Sequence, residues 1–538
     1  MSHASCPADS IPRLLVSQAE SLGDKPLFAL SGQPQAITYA SLVCDAETGS
    51  TRLREEYGVQ PGQVAAIFLP NGTAFVRAWF ACLFAGIADI PVNYEFRKTA
   101  LLFMLANTDV SVVFTDAAGL AALQDEEVRG YLPRLRLIVA VGSLPAVPLA
   151  QPGGAAPPVV TLDDLLGNGP RRRVWEGVAG TSLASIRYTS GTTGPAKGVM
   201  QSHLHILNKG VVHRRIMEMG RSDILYSPFP LHHSLASLNG LIGTITAGAT
   251  MVSAMRFSAS DYWPAIRRSS ATRGHVLFPL VPLLLKQQPT AADRDHACRY
   301  LWTAWPHPEF EQRFNVTLIQ IYGMGELGIA AYRRGGGGSH ERAAGKPLPD
   351  MTVRIVDELD QPLPQGRQGE IVVRPKQPHH VMLGYYGNLD ATIRAFRNLW
   401  LHTGDQGYLD LNGELVFLGR LGDTIRRRGV NISSEQIEEE ILRHPRVAEC
   451  AVIGVPAEFG EEEIMACLTW RDAQADVDAE LADLLGFLRA RLPGQYVPRY
   501  FQPTPGMPRT PTGKIRKVDL RTMQPPRPRW DRDTGTWV

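Results

Sequence analysis

The chain has 538 residues, 44% of them hydrophobic and 20% charged, with a formal net charge of +2. That length exceeds one compact core and points to roughly three to four domain-sized units. The near-neutral charge excludes an electrostatic case for nucleic acid, and the ordinary apolar fraction excludes a disordered chain.

Taken from the start, Met1 to Ser5 lacks the basic-then-apolar pattern of a secretion signal. Cys6, Cys44, Cys82, Cys298, Cys450 and Cys467 are scattered with no C-x-x-C pair. They read as small core residues of a reducing compartment. The apolar segment 74–85 is too short to span a bilayer and carries Arg77. A cytoplasmic protein without a membrane span is expected.

Next come a strand at 64–69, a buried helix at 73–86, and further strands at 110–114, 137–141, 276–278 and 316–321. The run 314–319 reads as one buried strand leading into "QIYGMGELG", residues 320–328. Such alternation predicts layered α/β architecture with largely parallel sheets. The Pro/Gly/Ala-rich stretch 142–170 reads as a surface excursion, and "RRGGGGSH" at 333–340 as a surface loop. From Thr352, "TVRIVD", "GEIVVRP" and "GELVFLGR" are short strands of a small antiparallel or barrel-like unit. After Arg420 the pattern becomes mixed α+β, with an acidic helix at 435–442 and a Pro- and Arg/Asp-rich tail over the last fifteen or so residues. No internal repeat is present. The expected architecture is therefore a large N-terminal domain, 1–421, of two layered α/β subdomains plus a β-rich part at 352–420. A small mobile α+β domain, 422–538, would follow it.

Several motifs carry chemistry. "YTSGTTGPAKGVM" at 188–200 combines glycines, hydroxyls and Lys197 in a way that suits polyphosphate. It is not a Walker A loop, because Ala196 precedes the lysine and Gly198 follows it. A flexible polar linker is the competing reading of that loop alone. "PFPLHHSLASLNG" at 228–240 holds His232 and His233, and no carboxylate or cysteine stands at metal-site spacing. "LHTGDQGYLDLNGELVFLGR" places Asp405 in a Thr-Gly-Asp turn, and "PRTPTGKIRK" places Lys514 on a Thr-Gly turn. Taken singly, each is as well read as a turn or a surface residue.

In this order, from "ITYASL" at 37–42 to Lys517, these motifs resemble the adenylate-forming superfamily. Its members are acyl-CoA and aryl-CoA synthetases, peptide-synthetase adenylation domains and beetle luciferases. "VLFPLVPLLLKQQPTAADRD" and "YGMGE" look closest to bacterial carnitine-CoA ligases. The resemblance implies two half-reactions. A carboxylate attacks the α-phosphate of ATP to give acyl-AMP and pyrophosphate, and the thiol of CoA then displaces AMP. It further implies that Thr189, Ser190, Gly191, Thr192, Thr193, Gly194 and Lys197 hold phosphates. Tyr322, with Gly323 and Gly325 beside it, would lie against adenine, and Glu326 would help hold Mg²⁺. Asp405 would take the ribose hydroxyls with Arg420 nearby, and Lys514 would bridge carboxylate and α-phosphate. His233, a catalytic candidate, would begin the acyl pocket with His232, Ala236, Ser237, Gly240, Trp305 and Gly328. Arg428, Gly429 and Val430 would flank the pantetheine tunnel, and Gly422 would be the hinge between two orientations of the C-terminal domain.

The chain also departs from the family pattern. Gly325 stands where the family carries a threonine whose hydroxyl bonds the α-phosphate region. "TAWPHP" at 303–308 replaces a small-residue run, Gly422 replaces an Asp or Lys, and Gln436 replaces an acidic residue. The expected function is thus an acyl-CoA ligase with weakened or absent adenylation, accepting acyl-AMP made by a separate adenylating enzyme. A conventional two-step synthetase is the alternative, followed by loading of a carrier-protein thiol, a luciferase-like oxygenase and a non-catalytic adenylate sensor. The small residues around the acyl pocket suggest a bulky or polycyclic acid, while Trp305 argues the other way, and the unusual motif pattern suggests specialised metabolism.

Overall fold

In the computed structural model the apolar runs Val64–Phe68, Val110–Asp116 and Leu137–Val141 are strands, buried almost throughout. Continuous burial of this kind marks parallel strands covered on both faces by helices. The structure describes residues 8–96, 101, 104–105, 107–124, 132, 134–142, 156–188, 197–277, 280–303, 307–336, 343–427, 430–457, 462–472, 476–510, 513–522 and 528–538, without the side chains of 424, 426, 430 and 431.

By internal contacts the chain divides into two compact units. The first covers most of the chain up to Thr352, together with 375–394; the second holds 353–374 and 395–538.

The first unit is built on two sheets. One has the order 384–385, 198–202, 183–188, 88–91, 64–68, 110–116, 137–141, 159–161. The other runs 346–347, 328–334, 317–324, 300–303, 273–275, 224–227, 250–253, 26–30, 36–38. Both are parallel at their centres; the first is antiparallel at its 384–385 edge and the second at both edges. Helix Thr73–Ala85 packs against the first sheet and ends at Gly86, whose φ of 70° lets its N–H close back on Cys82 and Leu83 carbonyls. Trp79 on that helix donates Nε1–H to Asp89 at 3.0 Å, and Arg187 pairs with the other Asp89 oxygen at 3.1 Å. Burial pushes the Asp89 pKa up and that of Arg187 down, and each partner's charge opposes the shift of the other.

In the second unit the expected β-rich part is a four-stranded sheet, Met351–Val356, Gly369–Pro375, Leu401–Leu409 and Leu415–Arg420, whose last three strands pair antiparallel. A hairpin and a five-stranded sheet follow, with helices Ser434–Leu442 and Val477–Arg489 over an apolar cluster.

Four local readings change. Residues 314–319 are not one strand, because Phe314 ends helix Pro308–Phe314 and Asn315 at φ 51° turns the chain before strand Thr317–Met324. The strand expected at 276–278 lies at Arg273–His275. Within 142–170, Val159–Thr161 is an edge strand and Leu162–Leu166 a helix capped by Thr161. The C-terminal residues are not a free tail: Trp530–Asp531 and Thr536–Trp537 extend the five-stranded sheet, and Arg499 grips Asp531 with two nitrogens.

Among the described residues, no helix is long and apolar enough to cross a membrane. Cys82, Cys298, Cys450 and Cys467 are buried free thiols, as small core residues should be, and Cys44 is a partly buried one.

Candidate active site

Strand Thr317–Met324 pairs antiparallel with Gly328–Arg334, setting Gly323 opposite Ile329 and Met324 opposite Gly328. Gly325, Glu326 and Leu327 form the turn between them. The three glycines are there for different reasons. A Cβ on Gly323 would stand 2.1 Å from the Gly328 carbonyl oxygen, so close backbone approach demands glycine. Gly328 sits at φ +75°, in the left-handed region that side chains resist. Gly325 has neither constraint: a Cβ there meets nothing within 4 Å, and its φ lies outside the left-handed range. Gly323→Ala should therefore destabilise the first unit by about 1–3 kcal/mol, whereas Gly325→Ala should leave the melting temperature unchanged. Thermal denaturation of the two variants checks this.

Glu326 is 5% exposed and accepts the Tyr385 hydroxyl on Oε1 at 3.0 Å. Its backbone carbonyl accepts the Met382 N–H at 2.7 Å, which fixes the turn. Tyr322, one strand residue before Gly323, is buried. Lys209, on helix His203–Met217, reaches the same turn: its Nζ donates to the Gly325 carbonyl and to Gln201 Oε1, both at 2.8 Å. Burial pushes the Lys209 pKa down to about 7, with Glu326 opposing and Arg187 adding to the fall. Lys209 and His205 are absent from the site read from the sequence. Lys209, four residues after His205, shares its helix face, but nothing in the sequence marks that face as buried.

The acyl-pocket segment is irregular. Leu235–Leu241 is a π-helical stretch, a conformation concentrated at functional sites. Ala236 and Ser237 are buried in it, and Ser237 Oγ donates to the His233 carbonyl at 3.2 Å. His233 is exposed and accepts the Leu235 N–H on Nδ1 at 3.3 Å. The His232 carbonyl accepts from Arg187 at 3.2 Å, and burial, His233 and Arg187 bring the His232 imidazole down to about 4. Gly240 is a packing glycine, since a Cβ there would press on His275 at 3.0 Å. Local packing thus accounts for Gly240, and backbone conformation for Gly328.

The second unit brings three expected residues together. Register places Asp405 opposite Arg420, and Arg420 Nε meets Asp405 Oδ1 at 3.0 Å. Arg420 also donates to the Thr403 carbonyl at 3.0 Å, and Gly404, at φ +69°, donates its N–H to Glu370. Lys514 is exposed on a turn closed by Thr510, whose N–H donates to the Lys514 carbonyl at 2.7 Å. Surrounding protein and the Arg420 charge hold the Lys514 ammonium below its ordinary value, while Glu435 pulls it up. Gly422 lies in the short helical turn Leu421–Asp423, and its carbonyl accepts from Arg521 at 3.2 Å. Val430 starts strand Val430–Ser433, opposite Arg427. Arg427 itself is buried against Glu463 and donates to the Gln495 carbonyl. Asp360, Glu370 and His402 also cluster, but Arg397 reaches both carboxylates at 3.2 and 2.8 Å and neutralises them internally.

Thr189 to Gly194, Trp305, Arg428 and Gly429 lie outside the described residues, and Lys197 directly precedes strand Gly198–Ser202.

Comparison with known proteins gives a consistent result. The family described as AMP-binding enzyme matches residues 15–386, and that described as AMP-binding enzyme C-terminal domain matches 436–514. A sulfoacetate–CoA ligase of Cupriavidus necator is 31% identical over 95% of this chain and 97% of its own length. A crotonobetaine/carnitine–CoA ligase of Salmonella arizonae is 28% identical over 91% of this chain and 94% of its own. Among solved structures, the O-succinylbenzoate coenzyme A synthetase of Bacillus subtilis in complex with ATP and magnesium ion is similar. It is 25% identical with a TM-score of 0.78, covering 94% of this chain and 98% of that one.

Proposed function

The chain belongs to the AMP-binding enzyme family, and from that premise we propose that it forms an acyl-CoA thioester from an acyl-adenylate and CoA, with its own adenylation step weakened. The observation that carries the second clause is Gly325. Its surroundings admit a side chain and its backbone is ordinary, so the fold does not impose the loss of the family's threonine hydroxyl.

In this reading Tyr322 lines the adenine and Asp405, fixed by Arg420, accepts the ribose hydroxyls. The 189–197 loop holds the phosphates, and His232, His233, Ala236 and Ser237 flank the acyl group. Glu326 offers a buried carboxylate oriented by Tyr385, a hard oxygen donor that fits Mg²⁺. Bound there, the ion would neutralise phosphate charge. Rotation near Gly422 would exchange Lys514 for the 428–430 segment at the reacting centre. The thiol sulfur then bonds the acyl carbon, AMP leaves with the electron pair of the C–O bond, and the thiol proton is lost to solvent. Free thiols at all described cysteines support a cytoplasmic setting.

The second reading, a conventional two-step synthetase, is favoured by the gathering of Asp405, Arg420 and Lys514, since Lys514 serves adenylation. Two assays on the purified full chain separate them. Acid plus ATP, followed by pyrophosphate release, should give slow turnover; synthetic acyl-AMP plus CoA should give rapid thioester. Brisk pyrophosphate release would sink the weakened-adenylation reading. A carrier-protein thiol outcompeting CoA would redirect the second step, and a weak adenylation step would make a separate adenylating enzyme the source of acyl-AMP.

A further inference from the structure

We propose that the acid handled at this site carries a second oxygen acceptor, remote from the reacting carboxyl group, and that Lys209 and His205 hold it. The inference rests on the ligase reading and names its substrate class.

Lys209 is 3% exposed, so its ammonium has left water for a protein environment. An ammonium has three donors; among the described residues Lys209 uses two, to Gln201 and Gly325. One helical turn away, His205 is fully buried, and neither ring nitrogen has a hydrogen-bond partner among the described residues. The amide nitrogen of Gln201, also fully buried, has none either. Buried polar groups are rarely left unpaired, and each such group calls for a partner from outside the chain. Here three neighbouring side chains keep unused capacity at once.

The place is also right for an acyl substituent. Lys209 donates to the Gly325 carbonyl, in the same turn as Glu326. The missing side chain of Gly328 leaves its notional Cβ site 3.4 Å from Lys209 Cγ and 4.0 Å from His205 Nε2. A carbonyl, carboxylate or sulfonate oxygen delivered here would accept from Lys209 and His205.

The test uses the full chain, CoA and three adenylates of similar length: pentanoyl-AMP, 4-oxopentanoyl-AMP and 3-sulfopropanoyl-AMP. The wild type should favour at least one oxygen-bearing adenylate over pentanoyl-AMP by about 10-fold or more in kcat/KM. Preference for the ketone identifies a neutral acceptor, and preference for the sulfonate an anionic one. Lys209→Met should abolish that preference, lowering kcat/KM for the favoured oxygen-bearing adenylate about 10-fold further than for pentanoyl-AMP. Equal use of all three adenylates by the wild type overturns the inference with the ligase reading intact, and needs no variant to fold. An equal loss on all three in a folded Lys209→Met protein also overturns it. No thioester from any of them overturns the ligase reading, and this inference with it.

Discussion

Gly325→Thr should raise acid- and ATP-dependent pyrophosphate release by about 10- to 150-fold, the effect of restoring one hydrogen bond to a charged group, about 1.5–3 kcal/mol, in the transition state. The structure makes this a clean experiment. A Cβ at 325 has nothing within 4 Å, so the new side chain displaces no neighbour. The Gly325 carbonyl stays bonded to Lys209, and the flanking strand register is set by residues on either side of the turn. The melting temperature should therefore hold, while thioester formation from supplied acyl-AMP changes by less than about threefold, since that step does not form the adenylate. A variant that folds, forms thioester from acyl-AMP and still releases pyrophosphate at the wild-type rate would show that Gly325 does not limit adenylation.

The sequence made the architecture legible because parallel strands must be apolar along their whole length, as Val64–Phe68 and Leu137–Val141 are. The misread pieces share a cause. Phe314 is buried whether it ends a helix or starts a strand, so hydrophobicity alone cannot place the boundary that Asn315 makes with its left-handed backbone. The C-terminal strands are two residues each, too short for any period, and are held by the Arg499–Asp531 pair rather than by an apolar pattern. Among the candidate site residues, Glu326, Asp405, Arg420 and Lys514 could be proposed from the sequence because the motifs that hold them carry the family resemblance. Lys209 and His205 could not, because burial of a charged residue is a property of packing. Gly323, Gly325 and Gly328 look alike in the sequence, and only the backbone shows that the outer two are obligatory and the middle one is not.

The largest single loss should come from Lys514→Ala, measured in the Gly325→Thr background where adenylation is fastest. Removing one fixed charge from a developing pentavalent phosphate costs on the order of 100- to 1,000-fold in rate. The same variant should convert synthetic acyl-AMP and CoA to thioester at close to the parent rate. That split distinguishes a group acting in adenylation from one that merely supports the fold, which would lower both. Lys514→Arg should not rescue, because a planar guanidinium cannot place a point charge between two oxygens from the same turn. The pH profile gives a second readout. The ammonium is the active form, so adenylation should fall as pH rises through the Lys514 pKa, which desolvation by the surrounding protein and the Arg420 charge hold below that of an ordinary lysine. Glu435 raises that pKa, so Glu435→Gln should move the alkaline limb to lower pH and leave thioester formation from acyl-AMP where it was. An alkaline limb unmoved by Glu435→Gln, or one shared by both half-reactions, would assign the titration to another group. It would then separate Lys514 from the step that Gly325 is proposed to weaken.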